Sequence, residues 1–243
     1  MKKFLLFLVI FLMFGLVGCG PSKKKATAET FYQYLQNTQD EYAESQSGNL
    51  KITVVSEGVT TELVYVYNYD GESIDTMKVE FTEGEDVMEA YIKEGYAYVN
   101  LNGVKTKQKF FAAEGKDIID NYGFLSLTEI VFNFLDESLF GAFDVESNKD
   151  GEATLVWDAE KYVFLDENIP DEEFAEAEER FREIQENIVE ITMTIKYEGE
   201  KVTSLDSVLK NKDNEESQLK VEFNGTDTQT IEFPSDLSEY KDR

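Results

Sequence analysis

The strongest constraint on the fold is an alternation of apolar and polar residues that begins near Leu50 and recurs in short pieces. A period of two is typical of β-strands, because successive side chains point to opposite faces of a sheet. Turn pairs such as Glu94-Gly95 and Asn102-Gly103 separate the pieces, and such short connections join antiparallel neighbours. The sequence therefore predicts an antiparallel meander of about six strands. Its pieces are Leu50–Ser56, Val59–Tyr69, Ser73–Thr82, Val87–Lys93, Tyr96–Leu101 and Val104–Phe110.

The same alternation returns in the second half of the chain, where Val189, Ile191, Met193 and Ile195 alternate strictly with polar residues. We expect hairpins at Asn148–Gly151, Glu198-Gly199 and Asn224-Gly225. The predicted strands are Ala142–Ser147, Glu152–Asp158, Val189–Tyr197, Val202–Leu209, Gln218–Phe223 and Thr228–Phe233.

Three segments have the 3.6-residue period of an amphipathic helix, and they lie near residues 28–45, 127–139 and 171–187. Thr27 is the expected N-cap of the first helix, and Ser126 with Glu129 forms a capping box for the second. Several predicted strands are apolar on both faces, which a sheet with one solvated face would not need. We therefore expect helical cover on the second face of the meander.

The N-terminus has the pattern of a secretory leader, with Lys2-Lys3 followed by an apolar run from Phe4 to Val17. Leu16-Val17-Gly18-Cys19 resembles the lipobox of bacterial lipoproteins. That resemblance implies that the Cys19 thiol carries a diacylglycerol and that the chain is cut just before it. It predicts an extracytoplasmic protein anchored to the bacterial cell membrane through lipidated Cys19. The predicted divisions are a signal peptide over residues 1–18, a lipid-anchored linker over 19–27 and a single domain over 28–243.

Composition excludes several classes of function. The chain has no His, and its one Cys is taken by the lipid, so zinc sites and Ser-His-Asp or Cys-His nucleophiles are excluded. The formal net charge of −27 argues against binding to nucleic acid, which requires Lys and Arg opposite the phosphates. We expect no enzyme activity, no catalytic residue, no cofactor and no metal.

The order of elements resembles the LolA-like and LppX/LprG-like lipoproteins. The hairpin from Glu89 to Lys105 and the tail Phe233-Pro234-Ser235 carry the local similarity. The resemblance implies an α+β, mostly antiparallel fold, in which a curved half-barrel sheet of about ten to eleven strands has helices on its concave side. In such proteins the space between sheet and helices holds lipid or acyl chains.

Two functions follow from these patterns. In the first, the concave face binds a lipid or another apolar ligand; the candidate cavity residues are Met88, Ile92, Val99, Leu101, Leu127, Val131 and Phe134. In the second, the core is solid, and the protein is a non-enzymatic cell-envelope scaffold or receptor that binds other proteins through its acidic surface. Sequence does not distinguish the two, because the same residue types line a filled core and a cavity.

Overall fold

A computed structural model describes residues 26–70, 73–109, 140–158, 160–161 and 186–243. These residues form one helix, α1 (Ala28–Glu44), a 3-10 turn at Leu237–Glu239 and twelve strands. The strands are β1 (Ser47–Ser56), β2 (Val59–Asp70), β3 (Ser73–Glu83), β4 (Asp86–Lys93), β5 (Tyr96–Leu101), β6 (Val104–Lys109), β7 (Phe143–Lys149), β8 (Glu152–Trp157), β9 (Ile188–Glu198), β10 (Lys201–Asn211), β11 (Glu216–Phe223) and β12 (Lys241–Asp242). Cys19, the helix predicted near 127–139 and nearly all of the helix predicted near 171–187 lie outside the described residues.

All twelve strands belong to one open sheet, in the order β12-β6-β5-β4-β3-β2-β1-β11-β10-β9-β8-β7. The predicted six-strand meander is confirmed as β1 to β6, and β7 to β11 form a second meander. The two meet where β1 pairs with β11, from Leu50 opposite Phe223 to Val55 opposite Gln218. Every pairing is antiparallel except that of β12 with β6. The predicted fold class, an α+β curved half-barrel, is confirmed.

The turn between β5 and β6 lies at the predicted Asn102-Gly103 pair. Asn102 and Gly103 have φ values of 49° and 87°, the left-handed conformation that both central residues of a type I′ turn need. Asn102 also joins β4, since its side-chain Oδ1 accepts a hydrogen bond from the Val87 N–H at 2.8 Å. An Asn-Gly pair therefore closes β5 and β6 and fixes the neighbouring strand as well.

Helix α1 packs mainly on β10 and defines the inner face of the sheet. The predicted N-cap is confirmed: the Thr27 N–H donates to Thr30 Oγ1 at 3.2 Å. Phe31 and Leu35 are fully buried against the sheet. Thr38, also buried, accepts a hydrogen bond from the Val202 N–H at 2.8 Å, so a polar contact fixes the helix to β10.

The strand predicted at Thr228–Phe233 and the hairpin predicted at Asn224-Gly225 are wrong. Residues 228–234 have no strand pairing. Asn224 and Gly225 end the β1–β11 ladder, where the Asn224 N–H donates to Asn49 O at 2.9 Å. Because β11 already has β1 on one side and β10 on the other, a hairpin at this point would have no free edge to pair with.

The chain instead leaves the sheet and crosses its outer face as residues 226–243, which we call the C-terminal strap. Asn68 holds it near the start: its Nδ2 donates to Gln229 O at 3.0 Å, and its Oδ1 accepts from Gln229 N at 2.8 Å. Phe233 lies beside Tyr91, with 6.1 Å between ring centroids. In the described chain, α1 lies on the inner face and the strap covers part of the outer one. The helix near 127–139, which we expect to add to the cover, lies outside the described residues.

Candidate functional site

A continuous row of apolar side chains crosses the inner face, with one residue from each of ten neighbouring strands. We call it the apolar row. In strand order it consists of Ala153, Ile195, Leu205, Val221, Ile52, Leu63, Phe81, Met88, Leu101 and Val104. Each residue is the cross-strand partner of the next, at the separation where side chains on one face touch.

Exposure changes steeply along the apolar row. The residues from β8 to β11 are fully buried, and Met88 on β4 is 6% exposed. Leu101 on β5 is 48% exposed and Val104 on β6 is 66% exposed. Core and solvent are therefore connected by one unbroken apolar surface that opens at the β5–β6 end of the sheet.

Four of the predicted cavity residues lie on this inner face. Met88, Ile92 and Val99 are buried there, and Leu101 lies at the exposed end of the apolar row. Leu127, Val131 and Phe134 lie outside the described residues. That the face binds a ligand stays a prediction, while the shared location of these four residues is a feature of the sheet.

The second meander contributes a residue that we did not assign to the site from sequence. Trp157 is the only tryptophan of the chain and is 9% exposed on the inner face. It pairs with Phe143 of β7. Among the described residues, its indole Nε1 is the one buried side-chain polar atom without a hydrogen-bond partner.

Three tyrosines of β2 form a ladder on the same face. The ring centroids of Tyr65 and Tyr67 are 5.1 Å apart, and those of Tyr67 and Tyr69 are 5.3 Å apart. The Tyr67 hydroxyl donates to the backbone carbonyl of Tyr42 at the C-terminal end of α1 (3.0 Å). Burial raises the pKa of Tyr67 to about 12, and it also raises the pKa of Tyr65. The hydroxyls of Tyr65 and Tyr67 therefore stay protonated to a higher pH than that of an exposed tyrosine.

An open cleft of about 410 Å³ lies on the outer face, between strands β3 to β6 and the C-terminal strap. Lys105 crosses it to form ion pairs with Asp236 and, at 3.2 Å, with Glu239. Its pKa is raised by these two hydrogen-bonded carboxylates. Glu89 accepts hydrogen bonds from Tyr91 at 3.2 Å and from Asn100 at 3.0 Å. These polar groups therefore bind each other, and the ion pairs of Lys105 with Asp236 and Glu239 attach the strap to the sheet.

The described residues contain no group of three or more metal-ligating side chains. They also include no helix that is long and apolar enough to cross a bilayer.

Comparison with known proteins yields structural neighbours only. No family model matches the sequence, and no curated protein matches it. LprF from Mycobacterium bovis matches with 12% identity and a TM-score of 0.40, over 86% of this chain and 99% of that chain. A DUF1329 family protein from Desulfovibrio piger matches with 7% identity and a TM-score of 0.25, over 85% and 96%.

A domain named for outer membrane lipoprotein sorting, from Vibrio parahaemolyticus, matches with 7% identity and a TM-score of 0.24, over 88% and 98%.

Proposed function

We propose that this chain is a membrane-anchored extracytoplasmic lipoprotein that binds a lipid or another apolar ligand on the inner face of its half-barrel, without catalysing a reaction. The anchor is lipidated Cys19, and residues 19–27 link it to the domain. The observation that carries the binding proposal is the apolar row, because it runs unbroken from the core to exposed Leu101 and Val104.

The β5–β6 end of the row is the proposed entrance. Apolar side chains that only fill a core are buried. Leu101 and Val104, however, continue the apolar row into solvent, where they are 48% and 66% exposed. Transfer of an acyl chain onto such a surface gains about 0.8 kcal/mol for each buried methylene. The acidic exterior is compatible with a neutral or zwitterionic ligand, whereas it opposes an anionic one.

Binding is tested with a fluorescent acyl probe and the mature chain Cys19–Arg243 carrying Cys19→Ser. Leu101→Glu should weaken probe binding several-fold, because it puts a carboxylate at the entrance. The matched control is Val87→Glu: Val87 is 43% exposed on a neighbouring strand, and the parity of Met88 places it on the outer face. We expect this control to bind as the unsubstituted chain does.

Native mass spectrometry of detergent-free protein should show co-purifying lipid. A ligand-free protein that also binds no acyl probe would refute the proposal and favour the solid-core scaffold. Equal losses in Leu101→Glu and Val87→Glu would place the entrance elsewhere.

The anchor is tested separately. Cells grown with labelled palmitate should incorporate the label into this protein, and Cys19→Ala should abolish the incorporation. An unlabelled protein in the soluble fraction would refute the lipoprotein assignment without bearing on the inner face.

A further inference from the structure

The inference concerns the unpartnered indole N–H of Trp157. Trp157 lies on the inner face, more than nine-tenths buried, and Nε1 has no acceptor in the part of the chain that the structure describes. Buried donors are almost always paired in folded proteins, and leaving one unpaired costs free energy. An unpaired buried group therefore calls for an explanation.

The sheet neighbours of the indole among the described residues are apolar. Phe143 is its cross-strand partner on β7. On β9, Met193 is the cross-strand partner of Leu155. Two residues further along both strands, the same register puts Ile191 opposite Trp157 on the inner face. All three of Phe143, Ile191 and Leu155 are buried. A bound water needs two to four polar partners, and these side chains offer none.

We infer that Trp157 Nε1 donates a hydrogen bond to the carbonyl oxygen of a bound neutral acyl ester or amide. This inference rests on the proposed function, and it assigns the chemistry of the ligand and one contact. A carbonyl on an acyl chain brings an acceptor and apolar surface to the same place, which matches a lone donor among aliphatic and aromatic side chains.

A free carboxylate fits this position less well. Burying an ionised group among apolar side chains costs far more than burying a carbonyl, and this site has no cation among the neighbours named above. The net charge of −27 opposes an anion as well. The inference therefore commits to a neutral carbonyl, and the fatty-acid anion becomes an arm of the test.

The single tryptophan makes the contact directly observable. The mature chain with Cys19→Ser has one indole N–H resonance, and it is titrated with methyl myristate, with pentadecane and with myristate. Methyl myristate should move the Trp157 indole resonance downfield and shift the fluorescence emission to longer wavelength. Pentadecane should bind without either change, and myristate should bind more weakly than its methyl ester.

Trp157→Phe keeps an aromatic ring and removes the donor. It should lower the affinity for methyl myristate about threefold to tenfold, the range expected for one net hydrogen bond, and leave the affinity for pentadecane unchanged.

The outcomes separate the inference from the proposed function. If neither ester nor alkane binds, the proposed function fails. If both bind and the indole resonance does not move, or if Trp157→Phe weakens both equally, the binding face stands and the Trp157 contact is overturned.

Discussion

Replacing Gly48 with alanine tests the packing of the tyrosine ladder. An ideal Cβ on Gly48 would lie 2.7 Å from both the Cζ and the hydroxyl oxygen of Tyr67. Real Cβ contacts are essentially never this short, so the ring must move. The ring is 7% exposed, packs between Tyr65 and Tyr69, and is fixed by its hydrogen bond to Tyr42 O.

The expected cost follows from these contacts. Over-packing a well-filled core costs about 1–3 kcal/mol, and losing the Tyr67 hydrogen bond adds about 0.5–1.5 kcal/mol. Against this, Gly→Ala at an unstrained position stabilises by about 0.4–1 kcal/mol through the unfolded state. The net prediction is a destabilisation of about 1–3 kcal/mol, measured by urea unfolding with an unchanged m-value.

Gly141→Ala is the matched control, because an added Cβ there meets no atom within 4 Å. It should be neutral or stabilising by up to about 1 kcal/mol. In the double variant with Tyr67→Leu the penalty of Gly48→Ala should largely disappear, which gives a coupling energy of about 0.5–3 kcal/mol. A Gly48→Ala protein as stable as the Gly141→Ala protein would refute the claimed close approach.

Three further predictions concern other contacts. Thr38→Val should destabilise by about 1–3 kcal/mol in urea unfolding because it leaves the buried Val202 N–H without its acceptor, and Thr38→Ser should recover most of the loss. The free energy of unfolding should fall above pH 10, because the pKa of tyrosine is near 10 in the unfolded chain while that of Tyr67 in the folded protein is about 12. Tyr67→Phe should make that fall shallower, and an equal fall in the variant would contradict the raised pKa. Lys105→Ala should speed amide hydrogen exchange in residues 236–242, because it removes the ion pairs with Asp236 and Glu239. Lys149→Ala, which breaks only an exposed ion pair, should leave exchange there unchanged. Equal exchange rates in the two variants would mean that Lys105 does not hold the strap.

The hairpins could be predicted from sequence because their signal is local. Tyr96–Leu101 has the bounds predicted from alternation, since a turn pair lies directly at each end. The failure at Thr228–Phe233 has a long-range cause. Alternation shows that a segment is able to form a strand, but pairing also needs a free edge, and β1 and β10 already occupy both edges of β11.

The same distinction between local and long-range information applies to the candidate site. Met88, Ile92 and Val99 could be assigned to one face because side-chain parity is a local property. The continuation of the apolar row into β8 to β11 depends on the β1–β11 pairing, between segments that are distant along the chain. The unpaired N–H of Trp157 is likewise the result of which side chains surround it, and no local pattern gives that information.

The pairing of β12 with β6 has a consequence for the newly made chain. β6 is complete at Lys109, but the strand that protects its edge is Lys241–Asp242, and the Arg243 N–H makes the final hydrogen bond to Lys107 O at 3.1 Å. An edge strand with unpaired backbone groups is a template for association with another chain. During synthesis the Thr106–Lys107 stretch of this edge stays open until Lys241 and Asp242 have been made. These two residues therefore limit association through that stretch only after every strand of the two meanders has been synthesised.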